Sequence, residues 1–439
     1  MTDGEDRPRP SCPGRRPMSS TDPRRPRRTA LDALHRSLGA SMTDFAGWDM
    51  PLRYGSERDE HTAVRTRAGL FDLSHMGEIT VTGPEAARLL DHALVGNIGA
   101  VRPGRARYTM ICRADGGILD DLIVYRLAGT GAEAGAPAEV EAGAGAGAEA
   151  GAGAAAEAGA GAAAEAGAGA GAGAGSARYL VVANASNAQV VLDALTERAA
   201  GFDAEVRDDR DAYALLAVQG PESAGILKGL TDADLDGLKY YAGLPGTVAG
   251  VPALIARTGY TGEDGFELFV APADAEPLWR ALTEAGAPAG LVPCGLSCRD
   301  TLRLEAGMPL YGHELTTTLT PFDAGLGRVV KFEKDGDFVG RAALAEAAAR
   351  AEHSPPRVLV GLVAEGRRVP RAGYAVVAGG EEVGEVTSGA PSPTLGKPIA
   401  MAYVDAEFAA PGTPGVGVDI RGTHEPYEVV ALPFYKRQK

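Results

Sequence analysis

The chain has 439 residues, 60 Gly, 29 Pro, 4 Cys and a formal charge of -15, enough length for two or three domains with buried cores. It contains no run of roughly 18 apolar residues and no apolar stretch behind its N-terminal arginines, which excludes a membrane span and a secretory signal and leaves a cytoplasmic protein as the expectation. The acidic balance argues against nucleic acid as a partner, and scattered His and Cys without paired metal-ligand spacing argue against a metal centre.

The first 28 residues carry 8 Arg, 4 acids and 6 Pro and read as a disordered basic tail. From Thr29 the sequence T-A-L-D-A-L-H-R-S-L-G spaces Leu31, Leu34 and Leu38 at helical intervals and stops at Gly39. F-A-G-W-D-M-P-L-R-Y (45–54) follows, then a charged helical stretch ending before Gly69. G-E-I-T-V-T-G-P (77–84) alternates as a strand does and ends on a Gly-Pro turn. G-G-I-L-D-D-L-I-V-Y-R-L (116–127) and R-Y-L-V-V-A-N-A (178–185) are two further strands. Between them, residues 129–175 comprise 15 Gly, 23 Ala and 6 Glu, which suits a flexible loop. Lengthening a short hairpin loop to that size costs only about 2 kcal/mol in closure entropy.

Residues 214–227 predict strand, Gly-Pro turn and helix, and A-L-I-A-R-T-G-Y-T-G-E-D-G-F-E-L-F-V (253–270) predicts two strands around a Gly-rich turn. Helices are expected near 274–285 and over 296–307. Elements that mix without regular strand-helix alternation indicate an α+β protein. Beyond the His353-Ser-Pro-Pro-Arg357 linker, short Val-rich strands punctuated by Gly and Pro predict a separate antiparallel β-barrel over 357–439.

Three constellations could carry chemistry. Asp120 and Asp121 sit among Ile and Leu on one predicted strand; they either cap the Gly-Gly turn or place one carboxylate inward, where it needs partners or becomes neutral. Glu267 follows the Gly-rich turn and alternates away from Phe266 and Leu268. Such a carboxylate can pair with an amidine-like N-H/N-H2 edge of the kind a pterin offers, although an ordinary hairpin is equally compatible with the residues. Arg299 and Arg303 share one helical face, available to neighbouring acids or to an anionic ligand.

These segments, together with G-L-F-D-L-S-H-M-G, Q-G-P, R-D-T-L-R-L-E-A-G-M-P-L-Y-G-H-E-L, V-T-S-G-A-P-S-P-T-L-G-K-P-I-A-M-A-Y-V and the terminal P-F-Y-K-R, resemble the T-protein (aminomethyltransferase) family of the glycine cleavage system from Thr29 onward, except for the Ala/Gly block. The resemblance implies a three-lobed α+β folate-binding region over 29–350 followed by the C-terminal barrel. It implies tetrahydrofolate as methylene acceptor, the lipoylated H-protein as partner, and ammonia, 5,10-methylenetetrahydrofolate and the reduced carrier as products. It makes Asp121 the functional carboxylate, Glu267 the pterin-binding glutamate and Arg299 a folate contact. Tyr108, Tyr125, Tyr240, Tyr260 and Met76 fall at cavity-lining positions, Asn184 at a cavity-lining or structural one, and Tyr435 at a position that could close the site. Two other branches share the fold. The flavin-oxidase fusions require a dinucleotide-binding domain ahead of Thr29, and the iron-sulfur maintenance branch carries K-G-C-Y-x-G-Q-E where this chain reads V-V-K-F-E-K-D-G-D-F-V-G-R. A non-catalytic folate-binding protein of the same fold is the remaining alternative.

Overall fold

The computed structural model describes residues 26–128, 177–353 and 357–437. The expected Ala/Gly/Glu loop, all but the end of the basic tail and the middle of the linker lie outside the described residues. The tail ends earlier than its composition suggests. Arg27–Arg28 pairs in parallel with Trp48–Asp49, and the Arg27 guanidinium lies 4.1 Å from the Trp48 ring centre, so a packed aromatic face orders two residues that the Pro/Arg pattern assigns to a coil.

The first helix, Asp32–Ser37, buries Leu31 and Leu34 and stops at Gly39 with φ +79, as the spacing indicates, but Leu38 is 45% exposed at the cap. F-A-G-W forms the turn of a hairpin, Ser41–Phe45 with Trp48–Arg53, through Ala46 and Gly47 at positive φ. Ser56 accepts the Asp59 N–H and starts the charged helix Glu57–Thr66. The strand that follows, Ala68–Asp72, is buried on both faces and shows no alternation.

Two sheets pack back to back. One has five strands, in the order Arg105–Cys112, Ile118–Arg126, Tyr179–Ala183, Gly77–Thr82 and Glu205–Asp208. The other has six, in the order Gly243–Val248, Val251–Ala256, Gly265–Val270, Ala214–Gln219, Ala68–Asp72 and Leu291–Pro293. Helices Ala86–Ala93 and Ala188–Arg198 cover the outer face of the first, packing Leu89, Leu90, Val191 and Leu195 on Ile79, Val81, Leu122 and Val124. On the second, Leu278, Trp279 and Leu282 of helix Ala275–Gly286 meet Leu216, Val218, Phe266 and Leu268. Each such side chain contributes about 1.5–3 kcal/mol of burial. Phe71, Tyr125, Leu180, Leu215 and Phe269 fill the layer between the sheets.

Leu315, Leu326, Phe338 and Leu344 build a third lobe against Met110 and Ile118 at the open end of the five-stranded sheet. Residues Arg357–Val430 form a seven-stranded antiparallel sheet around Val360, Leu362, Val376, Val404 and Val418; its two edge strands, Thr423–Pro426 and Glu428–Val430, are joined through Tyr427 alone, which curls the sheet back on itself as a barrel. The architecture is thus α+β with a C-terminal antiparallel barrel.

Candidate active site

Asp120 and Asp121 lie in the strand Ile118–Arg126, whose pairing with Arg105–Cys112 begins after the Gly116-Gly117 turn. Neither caps that turn. Asp115 does so, accepting the Gly117 N–H at 3.1 Å, and a Cβ on Gly117 would stand 2.2 Å from the Thr317 carbonyl oxygen, so glycine lets the third lobe close against the turn. Strand alternation then separates the two carboxylates. Asp120 shares the parity of Leu122 and Val124, which face the helix-covered core, whereas Asp121 shares that of Ile123 and Tyr125 and lines a cavity of about 560 Å³.

The Asp121 carboxylate accepts the Tyr108 hydroxyl at 3.1 Å and the Asn184 amide at 2.8 Å. Burial pushes its carboxyl up to about 6, against the opposing pull of the Tyr108 and Asn184 hydrogen bonds. The register explains Asn184: Ile123 pairs with Val182, so Asn184 falls opposite Asp121 just past the ladder.

Glu267 occupies the opposite wall. Its strand pairs Ala256 with Glu267 and Ala217 with Glu267, turning Phe266 and Leu268 into the core and the carboxylate into the cavity. Oε2 accepts the hydroxyls of Thr258 and, at 3.4 Å, Tyr125, while Oε1 has no hydrogen-bond partner among the described residues. Burial raises its pKa, and the Arg299 charge and these hydroxyls act the other way. The glycines preceding Glu267 serve packing. A Cβ on Gly259 or Gly265 would meet the Gln219 side chain at 2.0 or 2.3 Å, and that amide ties the turn together by donating to the Thr258 carbonyl and accepting the Thr261 hydroxyl. Gln219 belongs to Q-G-P, so two motifs distant in sequence are one device.

Arg299 and Arg303, one turn apart on the helix Leu296–Glu305, part company. Arg303 is fully engaged: it donates to Asp300, to the Met308 carbonyl, to Glu314 at 3.1 Å and to Ser388 at 2.9 Å. Arg299 lines the cavity, lies 4.8 Å from the Tyr260 ring centre, and its guanidinium makes no hydrogen bond or ion pair with any described residue. Burial lowers its pKa, with the neighbouring Tyr260 and Glu267 countering, and a guanidinium stays charged throughout.

Nine of the ten expected site residues line this one cavity: Asp121, Glu267, Arg299, Tyr108, Tyr125, Tyr240, Tyr260, Met76 and Asn184. Tyr435 does not. Its ring stacks 4.0 Å from the Arg65 guanidinium, and its backbone N–H donates to the Glu305 carbonyl, which pins the C-terminal tail to the helix rather than closing the cavity.

Residues 31–132 and 172–334 match the GCVT N-terminal domain, and residues 357–436 match the glycine cleavage T-protein C-terminal barrel domain. The chain belongs to the glycine cleavage T-protein family. It is 78% identical over 414 residues to an aminomethyltransferase of Streptomyces avermitilis, covering 94% of this chain and 99% of that relative. An aminomethyltransferase of Bacillus subtilis is 42% identical over 412 residues, with 94% and 99% covered. The crystal structure of glycine cleavage system aminomethyltransferase T from Bartonella henselae superposes with a TM-score of 0.76 at 33% identity, covering 93% of this chain and 98% of that one.

Within this T-protein family member the cavity also takes in Phe45, His75, Tyr241 and Tyr311, which sequence reasoning passes over. Phe45, at the tip of the first hairpin, lines the cavity and is 38% exposed. His75 is buried, its Nδ1 has no partner among the described residues, and burial together with the Arg299 charge lowers it to about 4, so it is neutral. A signal for His75 existed in G-L-F-D-L-S-H-M-G, but nothing in that motif says which side chain turns inward. Among the described residues, Glu60, Cys294 and Cys298 form the only cluster with metal-ligand spacing; the Glu60 carboxylate already accepts the N–H groups of Tyr54, Gly55 and Gly295, so it acts as a backbone clamp.

Proposed function

We propose that this cavity binds tetrahydrofolate and transfers to it the methylene carbon of an aminomethyl group carried on the dihydrolipoyl arm of the H-protein, with release of ammonia. The observation that carries the reading is the convergence of Asp121, Glu267 and Arg299, from three distant segments, on one mostly apolar cavity. The family name and the aminomethyltransferase relatives support the reaction class.

The residues fit a reduced pterin with a carboxylate-bearing tail. Glu267 offers an unpaired Oε1 beside an oxygen already held by Thr258 and Tyr125, a fixed acceptor for an N-H/N-H2 edge. Tyr108, Tyr125, Tyr240 and Tyr260 supply ring faces, and Arg299, without an ion pair among the described residues, is a cation for an anionic or carbonyl group. When bound, tetrahydrofolate supplies the nucleophilic nitrogen. Asp121, ionised near neutral pH, stabilises the positive charge that develops as carbon-nitrogen bonds exchange at the methylene carbon, or takes the proton released there. Tyr108 and Asn184 hold its carboxylate in place, so little reorganisation accompanies the step. Several lining residues, Phe45, Ser186 and His313 among them, are exposed, so the cavity is reachable from solvent, as a lipoyl arm requires. No described helix is long and apolar enough to cross a membrane.

The test is a reconstituted assay with aminomethylated H-protein and tetrahydrofolate, read as ammonia release. Asp121→Asn should lower methylene transfer by at least about 100-fold, the usual scale for a group acting on charge or protons, with folate affinity changed little. Undiminished transfer in that variant overturns the role of Asp121. A wild-type protein that binds folate and releases no ammonia is a non-catalytic binder.

A further inference from the structure

Asp120 is the more buried member of the pair, at 0% exposure, and the proposed reaction makes no direct use of it. Its surroundings are nonetheless built around Asp121. The Nδ2 group of Asn184 donates to Asp120 Oδ1 at 2.9 Å and to Asp121 Oδ1 at 2.8 Å, one amide bracketing two carboxylates from consecutive residues. The Asn184 backbone N–H donates to Asp120 Oδ2 at 2.9 Å. Asn187, three residues on and at the start of the helix Ala188–Arg198, donates to Asp120 Oδ1 at 2.8 Å and to the Leu119 carbonyl at 3.0 Å. Asp120 therefore fixes the loop 184–187, and that loop in turn aims Asp121.

Among the described residues no basic side chain acts appreciably on either carboxyl, although Arg299 and the neutral His75 line the same cavity as Asp121. The titratable groups facing them from other elements are phenols: Tyr108 from the neighbouring strand, Tyr241 and Tyr260 from the six-stranded sheet side, and Tyr311 from the third lobe. With no described cation paired to either of them, two buried carboxylates on one amide cannot both ionise cheaply.

We propose that Asp120 is a positioning residue for the transfer: bracketed with Asp121 on Asn184, it forms a carboxylate pair that holds one proton, and it fixes the direction in which Asp121 faces the cavity. This rests on the reading of Asp121 given above. Burial and the Asp121 charge push Asp120 up to about 8, while Asp121 lies near 6, and the two steps belong to the pair. Near neutrality the pair keeps one proton and one negative charge, so a proton taken up during transfer leaves a neutral pair rather than an isolated buried ion.

Carboxyl carbon-13 signals of aspartate-labelled full-length protein, followed with pH and assigned through Asp121→Asn, test the pair without disturbing the wild type. We expect two coupled steps in the wild type. In Asp121→Asn the remaining Asp120 step falls by at least about one pH unit because its like-charged neighbour is gone. Kinetically, Asp120→Asn and Asn184→Leu should each lower kcat by at least about 10-fold with the tetrahydrofolate KM changed less than about 3-fold. Two carboxyls fully ionised and independent by pH 5, or an Asp120 step that does not move in Asp121→Asn, overturn the proposal. If Asp121→Asn itself keeps full activity, the functional reading has failed; if it is inactive while Asp120 titrates independently, only the pair has failed.

Discussion

Glu305 and Glu267 are both buried carboxylates within reach of the helix Leu296–Glu305, and they are held in opposite ways. Glu305 accepts His61 at 3.0 Å, Arg65 at 2.9 Å, Ser392 at 2.5 Å, and both the N–H and the hydroxyl of Thr394. Burial alone would raise its pKa; the His61 hydrogen bond and charge, with Arg65 and Ser392, outweigh burial and hold it down to about 2. Every lone pair has a partner, and those partners come from the helix Glu57–Thr66 and from the barrel, so the carboxylate locks two parts of the chain together. Glu267 meets only neutral hydroxyls, keeps one oxygen free, and has its pKa raised by burial. The same contrast separates Arg303, engaged on all sides, from Arg299, whose guanidinium has no hydrogen-bond or ion-pair partner among the described residues. Saturation marks a structural joint, and an unfinished hydrogen-bond set beside a cavity marks a binding group.

That contrast can be broken at either end. The largest effect is expected from Glu305→Ala, which removes the buried carboxylate that His61 and Arg65 share, leaving Arg65 with Glu263 and His61 with Thr301, and should cost about 3 kcal/mol in urea unfolding. The sign follows from a folded pKa below the ordinary value: the stabilisation is complete above pH of roughly 4.5 and fades as pH falls toward 2, so wild type and variant should converge in acid. A gap that persists there removes Glu305 as the source. Glu267→Gln should act on the ligand instead, weakening tetrahydrofolate binding about 10- to 100-fold by isothermal titration with stability within about 1 kcal/mol of wild type. Unchanged affinity would place Glu267 with the structural residues.

The smallest effect is expected from deleting residues 131–174. The strands flanking that block already meet, since Tyr125 pairs with Leu180 and the Leu127 N–H donates to the Arg178 carbonyl at 2.9 Å. Melting temperature and kcat should both stay close to wild type; a substantial loss of either would make the block part of the site.

Strands such as Gly77–Thr82 and Gly265–Val270 were legible because period-2 alternation and Gly turns are local signals. Ala68–Asp72 was not: the other two are just as buried but carry Glu78, Thr80 and Glu267 between apolar residues, whereas Ala68-Gly69-Leu70-Phe71 offers no polar side chain before Asp72. The site residues were legible as motifs, yet equal-looking neighbours could not be ranked. Arg299 and Arg303 share a helix face, and only the placement of Glu314 and Ser388 beside the second decides which is free. Tyr435 reads as a candidate lid until Arg65 is found beneath its ring.

By itself the sequence determined the α+β class, the barrel, most strands and helices, and the residue types that make a carboxylate- and arginine-lined site, because periodicity, turn chemistry and composition act within a few residues. Only the tertiary structure decided that Asp121, Glu267 and Arg299 face one cavity, that Asn184 brackets both aspartates, and that Glu305 and Arg303 are spent on holding the lobes together. Those outcomes depend on which partners arrive from segments 60 or more residues away, such as Asn184 beside Asp120 at a separation of 64, and a short motif carries no information about its distant neighbours.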